Sequence, residues 1–76
     1  LWVQFADKEA FFKEEDALKG ILTSYPGKNP VVIYCKTERA VNRLGRDYMV
    51  SGDENLLFDL EKRYGKENIR VRSLGI

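Results

Sequence analysis

Histidine is absent from the 76 residues, which removes the commonest general base, triad member and metal ligand together. Cysteine occurs once, at Cys35. A single thiol excludes an internal disulfide and any cysteine-based metal cluster, and it suits a reducing, cytoplasmic setting. An excess of one charge sign is also lacking. Thirteen Lys and Arg against twelve Asp and Glu leave a formal net charge of +1, too weak a field to argue by itself for nucleic acid or a membrane surface. No apolar run approaches the roughly 20 residues of a membrane span, and no signal peptide is visible. The chain opens at Leu1 already inside a strand pattern and without an initiator Met, which reads as a piece of a longer parent.

What is present is a phrase used twice. Residues 18–35 and residues 57–73 each run from an amphipathic helical stretch through a Tyr, a Gly, a Lys and an Asn into a β-rich run. A helix stopped by glycine and returned at once into a strand is the physical content of that phrase. Two such units must lay their apolar helix stripes on a shared sheet. Seventy-six residues allow one domain, which buries only about 60–65 % of its unfolded surface, so one small core must be well filled.

Trp2-Val3-Gln4-Phe5 alternates with period two after Leu1 and reads as a strand, with Leu1, Val3 and Phe5 facing one way. Asp7 is placed to cap a helix over about 8–25. Phe11, Leu18, Ile21, Leu22 and Tyr25 form its apolar stripe, with Ala10 and Ala17 beside it. Pro26-Gly27 stops that helix, and Asn29-Pro30 leads out extended. Val31 to Cys35 is the most hydrophobic short run and the best strand candidate, residues 36–39 read as a hairpin loop, and Ala40 to Leu44 is the returning strand, although a short helix fits it almost as well. Ser51-Gly52-Asp53-Glu54 has capping-box spacing ahead of a second helix over about 53–64, with Leu56, Leu57, Leu60 and Tyr64 as its stripe and Gly65 as its stop. Ile69-Arg70-Val71-Arg72 closes as a strand. The order β-α-β-β-α-β predicts an α+β fold of the split βαβ type, two helices on one face of a small mixed sheet. Right-handed crossovers then put the first and third strands in the centre.

Catalytic chemistry finds little support. Cys35 sits in a β-run with the parity of Val31 and Ile33 and reads as a buried structural thiol. The carboxylates Glu9, Glu14, Glu15 and Asp16 are interleaved with lysines, as on a solvated helix face, and Asp53 and Glu54 are capping residues. Both Gly-Lys pairs close a helix, where the dipole repels anions, whereas a phosphate loop opens one. No catalytic, cofactor-binding or metal-ligating residue is assigned, and no cofactor is expected.

One surface stands out. If Val3 and Phe5 pack under the helices, then Trp2 and Gln4, with Val32 and Tyr34 and with Arg70 and Arg72, share the open face of the sheet. Aromatics flanked by arginines on a four-stranded sheet are how RNA-recognition modules stack bases. Such modules carry an aromatic-rich third strand, and Ala40 to Gly45 contains no aromatic residue. The favoured reading is therefore a contact surface for a neighbouring domain or protein. A single-stranded nucleic-acid site is the alternative.

At the motif level the chain resembles the C-terminal end of the bacterial replicative DNA polymerase III alpha subunit. The resemblance rests on the opening strand Leu1 to Phe5, on Tyr25-Pro26-Gly27-Lys28-Asn29-Pro30-Val31-Val32-Ile33-Tyr34, and on Arg43-Leu44-Gly45 and Val50. It continues through Leu56-Leu57-Phe58-Asp59-Leu60 and Tyr64-Gly65-Lys66-Glu67-Asn68-Ile69-Arg70-Val71. It covers nearly the whole chain in the right order. What it implies is a non-catalytic accessory domain of a DNA-directed DNA polymerase whose metal-binding carboxylates lie elsewhere in the parent. Its implied partners are other replisome subunits, the clamp-loader tau subunit among them, or the rest of the polymerase chain. No residue is assigned to tau by the resemblance.

Overall fold

The computed structural model describes residues 1–71. Its elements are β1 (Trp2–Phe5), α1 (Lys8–Thr23), β2 (Pro26–Asn29), β3 (Val32–Cys35), β4 (Ala40–Arg43), α2 (Glu54–Tyr64) and β5 (Ile69–Arg70), with single 3₁₀ turns at Arg46–Tyr48 and Lys66–Asn68. This is the expected α+β class, two helices and a four-stranded mixed sheet. The ambiguous segment 40–44 is a strand over Ala40–Arg43. The last strand is shorter than expected, and Arg72 lies outside the described residues.

The strand order is β4-β3-β1-β5, which corrects the expectation that the strand over Ala40 to Leu44 is central and the one over Val31 to Cys35 an edge. β1 and β3 pair directly in parallel, Val3 opposite Ile33, with no strand between them. β4 pairs antiparallel with β3, and β5 antiparallel with β1, so both are edges. The physical reason is local apolarity. Val3 and Ile33 are fully buried, and parallel strands need cover that only the sheet centre provides. The four-residue turn 36–39 then leaves the polar Ala40–Arg43 strand no place except beside β3.

Among the described residues the core lies on one face of the sheet. Val3, Phe5, Ile33, Cys35 and Ile69 alternate inward and meet Phe11, Leu18 and Leu22 of α1 and Leu56 and Leu60 of α2, with Val31 and Val50 completing the core. Burying each of these large side chains contributes about 1.5–3 kcal/mol. α1 begins as expected, with Asp7 Oδ1 accepting from the Ala10 N–H at 2.8 Å. α2 does not. Its cap is Asp53, which accepts from the Asn55 N–H at 2.9 Å, while the Ser51 hydroxyl only receives the Asp53 N–H at 3.4 Å.

Pro26–Asn29 is a strand rather than a bare linker, bridged antiparallel to Val50 at both ends. The Gly27 N–H donates to the Met49 carbonyl at 3.1 Å, and the Ser51 N–H to the Tyr25 carbonyl at 2.8 Å. This clasp ties the exit of α1 to the approach to α2 and buries Val50 between them.

Candidate functional site

The face of the sheet opposite the helices carries two rows of side chains, set by the strand register. One row reads Arg43, Val32, Trp2, Arg70 across β4, β3, β1 and β5. The next reads Val41, Tyr34, Gln4 across β4, β3 and β1. Trp2, Gln4, Val32 and Tyr34 are half-buried, and Arg43 and Arg70 are exposed. Val41 is 59 % exposed, far above the usual state of a strand valine. Five of the six residues expected on this face are therefore placed together on it, and Arg72 lies outside the described residues.

Sequence reasoning missed Val41 and Arg43. The signal was available: counting the alternation around a four-residue turn puts them opposite Tyr34 and Val32. It also tested the wrong strand for aromatics. Residues 40–43 form an edge, and the strand beside β1 is β3, which carries Tyr34. Trp2 and Tyr34 thus stand on the two central strands, one register step apart.

Toward β5 the face sinks into a shallow depression of about 90 Å³, lined by Trp2, Gln4, Tyr34, Glu67, Asn68 and Arg70. Small-molecule sites are typically about 300–1,000 Å³, so this one has room for a single side chain rather than a cofactor. Its floor is polar and fixed. Asn68 Nδ2 donates to the Tyr64 carbonyl at 2.6 Å, and Gln4 Nε2 donates to Asn68 Oδ1 at 3.2 Å. That chain orients the Gln4 amide, whose Oε1 and second N–H have no hydrogen-bond partner among the described residues. Asn68 and Glu67 are on the face because the 3₁₀ turn after α2 swings them beside β1, a tertiary placement with no periodic signature.

The remaining polar groups read as structure. The Glu9–Lys13 and Glu15–Lys19 ion pairs, at 3.7 and 2.8 Å, are four residues apart on the wet side of α1, and Glu14 reaches Arg63 of α2 at 2.9 Å. Lys19 also lies 4.9 Å from the centre of the Tyr48 ring. Cys35 is buried, and that burial pushes its thiol up, away from the thiolate a nucleophile requires. Among the described residues no group of three or more His, Cys, Asp or Glu side chains is placed to hold a metal ion, and no helix is long and apolar enough to cross a membrane. The chemistry available to the open face is recognition: two aromatic rings, two aliphatic side chains, an oriented amide and two guanidinium groups. Compared with known proteins, the chain matches no family model, no curated protein and no solved structure.

Proposed function

We propose that this chain is a non-catalytic interaction domain at the C-terminus of a bacterial replicative DNA polymerase, working in the cytoplasm through its open sheet face. The observation that carries the interaction reading is the group of Val32, Tyr34 and Val41, which among the described residues lies on the sheet face opposite the packed core, with Val41 59 % exposed. The sequence resemblance to the polymerase III alpha subunit supplies the parent. Its partners are other replisome subunits, with clamp-loader tau the first to test, or the rest of the polymerase chain.

A second reading, a single-stranded nucleic-acid module, is favoured by one observation: Trp2 and Tyr34 occupy adjacent central strands with an arginine at each sheet edge. Against it stand the net charge of +1 and the aliphatic Val32 and Val41 where further stacking rings are wanted. Stacking is worth about 1–3 kcal/mol per base, and two rings with few phosphate contacts give weak, salt-sensitive binding.

Titrating a labelled oligonucleotide while following Trp2 fluorescence separates the two readings. The expected result is weak or undetectable oligonucleotide binding at physiological salt, with binding to purified tau that Tyr34→Ala diminishes. Low-micromolar oligonucleotide binding that disappears in both Trp2→Ala and Tyr34→Ala would overturn the interaction reading.

A further inference from the structure

Arg43 and Arg70 sit at opposite edges of the same row, with Val32 and Trp2 between them. Neither arginine makes an ion pair among the described residues, where the carboxylates that do pair lie on α1. Three strand spacings separate the two positions, roughly 14 Å. Four residues of extended chain span roughly 13 Å, and residues i, i+2 and i+4 of such a segment point the same way. The depression beside Trp2 and Tyr34 lies inside that span and has room for one side chain.

We propose that the open face binds an extended partner segment of the pattern acidic-x-apolar-x-acidic, laid across the strands. The two carboxylates meet Arg43 and Arg70, and the middle side chain enters the depression against Trp2 and Tyr34. The Gln4 amide, held by Asn68, is placed to pair with the segment's backbone. This deepens the interaction reading and rests on it. Charge complementarity selects the occupant: the row presents a cation at each end and an apolar centre, and among the described residues Glu67 is the one carboxylate that borders the depression. A polyanionic strand gains from the arginines but finds Val32 and Val41 where it needs rings.

The test is an NMR titration of the 76-residue chain with a Gly/Ser peptide carrying glutamate, leucine and glutamate at alternate positions. Controls are a peptide with its two glutamates adjacent, one with glutamines in their place, and an oligothymidine. Expected are shifts confined to β1, β3, β4 and residues 67–70, and binding about threefold tighter than for the adjacent-glutamate peptide. Arg43→Gln and Arg70→Gln are exposed substitutions, and each is expected to weaken the spaced peptide about threefold, the scale of one exposed ion pair. Equal affinity for spaced, adjacent and neutral peptides overturns the proposal, as does tighter binding of oligothymidine on this face or peptide shifts confined to the helices. Binding of tau that is lost in Tyr34→Ala but unchanged in the Arg43→Gln, Arg70→Gln double variant sinks the charge-spaced pattern while leaving the interaction reading intact.

Discussion

Two glycines carry constraints of different hardness. Gly65 has φ +92°, a conformation that side-chain-bearing residues rarely adopt, and a Cβ there would meet Glu67 Oε1 at 2.9 Å. The carboxylate can move, so the cost of Gly65→Ala is mainly backbone strain, about 1–3 kcal/mol. At Gly27 a Cβ would stand 2.4 Å from Ser51 N and from the Val50 carbonyl carbon. Those are backbone atoms of the clasp, and they cannot yield without opening the bonds between 25–27 and 49–51. Gly27→Ala is therefore expected to cost more than Gly65→Ala, with Lys66→Ala within about 0.5 kcal/mol of the parent. Urea melts of the three variants check this ordering, and similar small losses for all three would contradict both constraints. Gly65 was legible in the sequence because a helix stop is a local event. Gly27 was legible only as a breaker, because its constraint comes from residues 23 and 24 positions away.

At the scale of elements, the start of α2 separates a motif from its geometry. Ser51 and Glu54 have the spacing of a capping box, yet the side chain that caps α2 is Asp53, which accepts from the Asn55 N–H. Asp53→Ala is expected to lower stability by about 1 kcal/mol, and Ser51→Ala by a clearly smaller amount. Chemical denaturation of both variants measures the difference, and the reverse order would restore Ser51 as the cap. α1, α2, β1 and β3 were readable because each buries one stripe or one face, which imposes a period on the sequence. β2 was not readable, since all four of its residues are exposed and it is held by backbone bonds alone. The strand order was misjudged for a related reason: connection rules admit several arrangements, and the choice falls to which strands are apolar enough for the centre.

For the whole molecule, titration provides a test of how the core is packed. Burial raises Cys35 above its ordinary 9.0 and Tyr64 above 10.0, and a hydrogen bond to Asp59 raises Tyr25 above 10.0. A group whose pKa rises on folding contributes stability that is complete below its unfolded value and is lost as pH climbs through the folded one. With no histidine to titrate between about pH 5 and 8, stability is expected to hold through the neutral range and to fall from about pH 9 upward. Urea midpoints measured from pH 7 to 11 check the sign, and a midpoint that rises above pH 9 would contradict it. The sequence by itself determined the class of fold, both helices, the buried thiol and which residues of β1 and β3 turn away from the core, because burial is periodic and period is written in the chain. Only the tertiary structure decided that β1 and β3 are neighbours, that Val41, Arg43 and Asn68 join Trp2 and Tyr34 on one face, and that Gly27 must be glycine. Those facts depend on which segments meet, and residues far apart in sequence carry no periodic mark of the partner they will find.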